Sequence, residues 1–235
     1  MITLQDQEEL FRLITDTIAV DVTCYAFGGN AMMFYGYKED TKDVDVLFEQ
    51  EGERAEFIRA LENIGYRETS LLKIYVPEKL QDPHAPKVYQ LGDGRFDLFV
   101  TKIFKTLLSP KMKDDLFAVH QFKGKQTITV KVLRTEFIVL LKAVTSRDKD
   151  FEDILTIVRK TKNFYWQYLI DEVIWQYQHG DSWVLLDVEK KMRDLQQQNV
   201  FIEEKYFKQL YEAQGKGEKE KVDKGKVQKG ERKKD

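Results

Sequence analysis

The sequence predicts an α+β protein: a small mixed sheet flanked by helices, followed by an all-helical C-terminal domain. Three observations carry this. Up to about residue 133, short apolar and β-branched runs alternate with stretches of helical spacing. Beyond it, every apolar pattern is helical. Finally, the Gly-containing turns that join candidate strands, at Gly92-Asp93-Gly94 and Gly124, all lie in the first half. A chain of 235 residues has enough core for one large domain or two small ones.

Residues 4–20 place Leu10, Phe11, Leu13, Ile14 and Ile18 at helical spacing. Residues 22–27 form an apolar run that reads as a buried strand and stops at Gly28-Gly29, after which 30–37 reads as a short helix. Asp43-Val44-Asp45-Val46-Leu47-Phe48 alternates with period two, as a strand does. Residues 51–64 put Phe57, Ile58 and Leu61 on one helical face. A strand at 73–76 is stopped by Pro77. The runs 87–91 and 95–100 flank an Asp-Gly turn, and 117–122 with 127–133 predict a second hairpin. Helices follow at 134–146, 149–160, 163–178, 182–198 and 201–213. The expected domains are therefore an α/β domain over 1–133, a helical domain over 134–214 and a disordered charged tail over 215–235. The tail holds Lys, Glu, Gly and Gln with two valines, too little apolar surface to offset the entropy of ordering.

The formal net charge of -2 hides an asymmetry: nine Lys/Arg against five Asp/Glu give the tail +4, leaving -6 on residues 1–214. An acidic body does not support broad, sequence-independent nucleic-acid binding. Cys24 is the single cysteine and reads as a small buried hydrophobe, so no internal disulfide forms. The three histidines, His84, His120 and His179, are far apart and read as surface residues, so no Cys/His zinc pattern appears. Ser70, Ser109, Ser146 and Ser182 lack any nucleophile-elbow context. The aromatic-rich stretch with Phe164, Tyr165, Trp166, Tyr168, Trp175 and Tyr177 is read as core packing of the helical half. The first residues lack the pattern of a signal peptide, and nowhere do 18 apolar residues run together. A soluble, cytoplasmic protein without membrane association is expected.

Chemistry concentrates in three places. Gly28-Gly29 lets the chain turn tightly and come close to a ligand, while the next helix presents amide N–H groups suited to phosphate. Asp43 and Asp45, two apart on a strand, project from one face, and two anions so close call for a cation. Magnesium suits the pair, being a hard ion held by carboxylates, water and substrate phosphates. Asp97 lies in another apolar strand, Phe96-Asp97-Leu98-Phe99, where an unpaired acid is costly. Convergence of the three would allow two metal ions.

The stretches Phe27-Gly-Gly-Asn-Ala31, Thr41-Lys-Asp-Val-Asp-Val46 and Phe96-Asp97-Leu98 together resemble the nucleotidyltransferase superfamily of the DNA polymerase β type. The Gly-Gly-x-Ala opening is most similar to the branch of AbiEii-like toxins and small prokaryotic nucleotidyltransferases. Lys142-Ala-Val-Thr-Ser-Arg147-Asp-Lys149-Asp150-Phe-Glu-Asp153 is similar to a helical stretch of that branch. The resemblance covers about residues 20–160. It implies the nucleotidyltransferase fold and transfer of a nucleoside monophosphate from an NTP to a hydroxyl on tRNA or a protein, with release of pyrophosphate. It assigns Asp43, Asp45 and Asp97 to Mg2+, two ions in all, and to catalysis. It places Gly28, Gly29, Thr41, Lys142 and Asp150 at the nucleotide. A toxin–antitoxin or defence pair, and hence a cognate protein partner, follows from the same resemblance. The competing readings are a non-catalytic, antitoxin-like binding partner of the same fold and a transferase acting on a small molecule. Two positions depart from the family pattern: Glu39 stands where relatives often carry an arginine, and Gly29 where many carry a serine.

Overall fold

The computed structural model describes residues 1–70, 85–145 and 147–231, with side chains as far as Gly217. The expected strand at 73–76, His84 and Ser146 lie outside the described residues. The elements run β1 (Ile2–Thr3), α1 (Leu4–Thr15), β2 (Val22–Ala26), α2 (Gly28–Phe34), β3 (Asp40–Thr41), β4 (Asp43–Phe48), α3 (Glu51–Asn63) and β5 (Arg67–Glu68). They continue with β6 (Lys87–Leu91), β7 (Gly94–Val100), β8 (Lys102–Ile103), β9 (Thr106–Leu107), α4 (Pro110–Asp114), β10 (Leu116–Lys123) and β11 (Thr127–Leu133). The helices α5 (Thr135–Ala143), α6 (Asp148–Lys160), α7 (Trp166–His179), α8 (Trp183–Gln197) and α9 (Glu204–Glu231) complete the chain.

The α+β class is the one the sequence predicts. Among the described residues, nine strands form one mixed sheet in the order β10-β11-β2-β4-β7-β6-β5, with β8 and β9 added beside β7. Strands β11 and β2 pair in parallel, as do β4 and β7, and the other pairings are antiparallel. Central strands covered on both faces need near-continuous apolar runs. Accordingly Cys24, Tyr25, Ala26, Val44, Val46, Leu47 and Phe48 are all buried. Burial pushes the Cys24 thiol well above its ordinary range, the behaviour of an inert core residue.

On one face of the sheet lie α1 and α3. Phe57 of α3 meets Phe48 at 5.4 Å and Phe96 at 5.7 Å, ring centre to ring centre, and Phe11 of α1 meets Phe57 at 6.4 Å. Because side chains alternate along a strand, the residues between these turn the other way: Asp43, Asp45 and Leu47 on β4, Arg95, Asp97 and Phe99 on β7. The apolar pattern of β4 and β7 thus fixes the face on which the acids emerge.

The chain divides into two units, residues 1–164 and 165–235. The sequence predicts a break at 133/134, whereas α5 and α6 belong to the first unit. Every residue of α5 is buried, and a helix buried all round sits inside a core rather than on the surface of a separate one. In the second unit, Leu169, Ile170, Val173, Val184, Leu185, Val188, Phe207 and Leu210 make the core. The rings of Trp166, Tyr168, Trp175 and Tyr177 are only half-buried, so the aliphatic side chains do the packing expected of the aromatic ones. Helix α9 runs to Glu231, past the Gly215 at which the sequence predicts loss of order. Glu, Lys and Gln are good helix formers even where they cannot build a core. No helix among the described residues is long and apolar enough to cross a membrane.

Candidate active site

The expected acids meet through the β4–β7 pairing. Asp45 lies directly opposite Asp97 and Asp43 opposite Arg95 on the adjacent parallel strand. All four side chains share the face turned away from α1 and α3. Arg95 Nη2 is 2.6 Å from Asp43 Oδ2, and its Nε and Nη2 donate to Asp97 at 2.8 and 3.1 Å. One guanidinium therefore bridges two of the three carboxylates. Burial works against the charge of Arg95, but Asp97 and Asp43 outweigh it and raise its pKa further.

Asp45 is left out of that arrangement. Its carboxylate accepts no hydrogen bond and makes no ion pair among the described residues. Burial, then the negative charges of Asp97 and Asp43, push its carboxyl up to about 8, against the weaker pull of Lys142 and Arg147. A carboxyl so placed binds a proton at neutral pH unless a cation arrives to replace it.

The β2–α2 turn closes on Asp45. Gly28 has φ +62, a conformation glycine tolerates best, and a Cβ there would collide with the Asp45 carboxylate, its Cγ lying at 3.0 Å. The Phe27 N–H donates to the Asp45 carbonyl at 3.5 Å, tying the turn to β4. A Cβ on Gly29 would sit 2.5 Å from Thr41 Oγ1. Buried Thr41, fixed opposite Ile2 in the β1–β3 pair, is thus the reason position 29 has no room for a serine. With seven residues, α2 is two turns long, and what the turn offers a ligand is close backbone rather than a long helix dipole.

Opposite the acids stands a basic wall. Lys142, at the end of α5, is 6% exposed and donates to Asp150 at 3.1 Å and Asp153 at 2.6 Å. Asp150 also accepts from Arg147 at 2.6 Å and Thr145 at 2.5 Å. Burial opposes its ionisation, but Lys142, Arg147 and Thr145 more than compensate and hold its carboxyl below the usual range. Lys38 donates to the other oxygen of Asp153 at 3.2 Å, and its Nζ lies 3.9 Å from where a Cβ on Gly29 would be. Acids and basic wall line one cleft of about 750 Å³, the solvent at its mouth included, with Phe27, Phe99, Ile103, Phe104 and Leu141 as its apolar part. Thr101 (φ 56) and Phe104 (φ 50) take the left-handed conformation in the turns that bring Ile103 and Phe104 to the cleft. For residues with a Cβ this costs of order 1 kcal/mol each, a strain that clusters at ligand sites.

All of Gly28, Gly29, Thr41, Asp43, Asp45, Asp97, Lys142 and Asp150 line this cleft. Glu39, the departure from the family pattern, is exposed and outside the cleft, and Lys38 beside it supplies a cation there. Sequence reasoning missed Arg95, Lys38, Thr145 and Asp153. The period-two position of Arg95 relative to Asp97 put it on the acid face; its pairing with Asp43 needs the β4–β7 register. As the side chains stand, no three His, Cys, Asp or Glu groups among the described residues form a ready metal cluster. Asp45, which no cation among the described residues contacts, and Asp43, paired with Arg95, are the residues that would hold a divalent cation.

No family model and no curated protein matches the sequence. Among solved structures, the chain is similar to one described as a "putative nucleotidyltransferase from H. pylori", at 15% identity over 93% of this chain and 97% of that one, with a TM-score of 0.38. Similarity that low leaves the functional reading to rest on the cleft.

Proposed function

We propose that the cleft is the active site of a nucleotidyltransferase of the DNA polymerase β type, which moves a nucleoside monophosphate from an NTP to a hydroxyl of tRNA or a protein. The observation that carries this reading is the pairing of Asp45 with Asp97 across β4 and β7, beneath the Gly28-Gly29 turn. Asp43 and Asp45 would hold Mg2+, and a bound ion would supply positive charge toward the triphosphate and the departing pyrophosphate. Gly28 and Gly29 let the triphosphate approach the backbone, and Lys38, Lys142 and Arg147 face its charge. The acceptor oxygen attacks the α-phosphorus, the bond to the β-phosphate oxygen breaks, and pyrophosphate leaves. Asp97, paired with Arg95, takes the acceptor's proton. The apolar residues Phe99 and Phe104 offer a surface for a base. A toxin–antitoxin or defence pair is the setting this activity fits.

The non-catalytic reading also has an observation in its favour: Arg95 occupies the gap between Asp43 and Asp97. Incubation with Mg2+, each α-labelled NTP and total tRNA, cell lysate or small hydroxyl compounds separates the readings. Label in RNA or protein supports the proposal, and label in a small molecule reassigns the acceptor. No label anywhere, with the cognate partner retained on the protein, supports the binding role.

A further inference from the structure

The three acids of the cleft are not equivalent. Asp43 and Asp97 share one guanidinium, and no cation among the described residues is in contact with Asp45. Arg95 Nη2 lies 2.6 Å from Asp43 Oδ2 and 3.1 Å from Asp97 Oδ2. A magnesium ion bridging those same two oxygens would need distances of about 2.0–2.1 Å to each. It would have to sit where the guanidinium nitrogen already is. Contact repulsion and like charge both forbid the two together.

We propose that Arg95 stands in for one of the two metal ions, so that the free protein takes up a single divalent cation, at Asp45 and Asp43. This rests on the transferase reading only in supposing that the acids bind metal at all. Removing the guanidinium opens a second position between Asp43 and Asp97. The side chain is held by its charged end and is 21% exposed, so it has solvent to swing into on leaving the carboxylates.

Manganese titration of the nucleotide-free protein, with free Mn2+ counted by electron paramagnetic resonance, tests this without any reaction. Wild type is expected to saturate at one ion per chain, and Arg95→Gln at two, the second at least about tenfold tighter than any second ion on wild type. Arg95→Lys, whose ammonium reaches one carboxylate better than two, is expected to take the second ion more weakly than Arg95→Gln. Two ions of comparable affinity on wild type overturn the proposal even if neither variant folds. An Arg95→Gln variant that folds and binds like wild type overturns it too, as does absence of binding to both. A protein that binds one ion but transfers no nucleotide loses the transferase reading and keeps this one. One that transfers nucleotide yet binds two ions when free does the reverse.

Discussion

Replacing Asp45 with Asn should stabilise the metal-free protein, and more so as the pH rises. Burial and the charges of Asp97 and Asp43 lift the Asp45 carboxyl from 3.8 to about 8. Between those values the folded chain holds a proton that the unfolded chain has released. Stability conferred by such a group is complete below the unfolded value and is lost as pH climbs toward the folded one. Four pH units at about 1.4 kcal/mol each set a ceiling of about 6 kcal/mol. Asp45 keeps contact with water in the cleft and shares its titration with two other acids, which reduces the expected loss to about 2–3 kcal/mol between pH 5 and 8. An asparagine side chain has about the same shape and no charge, so the Asp45→Asn protein should show this part of the pH dependence removed. It should exceed wild type by about 2 kcal/mol at pH 8 in EDTA, an order-of-magnitude figure from the same linkage. All three tryptophans belong to residues 165–235, so fluorescence would report the wrong unit. Hydrogen exchange of the β4 amides against urea reads the right one. Adding Mg2+ should reverse the ranking, because a bound ion stabilises only the protein that binds it. An Asp45→Asn variant less stable than wild type at pH 8 in EDTA, or no difference in pH dependence between the two, would show that Asp45 is not held protonated by its neighbours.

Other expectations follow from the same geometry. Gly28→Ala combines a left-handed backbone with a collision against Asp45; it should cost about 1–3 kcal/mol in urea unfolding and weaken Mn2+ binding at least tenfold. Gly29→Ser should destabilise through Thr41, and a double-mutant cycle with Thr41→Ala should recover about 1 kcal/mol of that loss; strict additivity would show that the two do not press on each other. Lys142→Met leaves Asp153 with Lys38 alone and removes one of three donors to Asp150. Loss of a buried partner of this kind should cost about 3 kcal/mol, and NTP affinity measured by calorimetry should fall with it.

The sequence made the acids legible because each stands in a run otherwise apolar, where a charge without a purpose is expensive. Asp43, Asp45 and Asp97 could be picked out for that reason, and β4 is found at residues 43–48 as expected. Local periodicity does not reveal which strand lies beside which. The order β2-β4-β7, with one antiparallel and one parallel step, brings Arg95 opposite Asp43, and nothing in the residues next to Arg95 announces that. Lys38 and Asp153 are 115 residues apart in sequence, so their pairing is likewise a product of the fold. The strands β1, β3, β8 and β9, two residues each, are too short to show a pattern; tertiary packing makes them. Glu39 misled in the opposite direction: read by position alone it puts an acid at the triphosphate, whereas the turn into β3 exposes it and brings Lys38 into the cleft.

Whether Asp43, Asp45 and Asp97 serve nucleotidyl transfer is decided by comparing NTP labelled at the α-phosphate with NTP labelled at the γ-phosphate, in Mg2+ with tRNA and lysate protein as acceptors. α-Label is expected to enter a macromolecule and γ-label to leave as pyrophosphate, and Asp43→Ala and Asp45→Ala are each expected to abolish the transfer. Transfer of γ-label, or α-label transfer undiminished in both variants, would contradict that role.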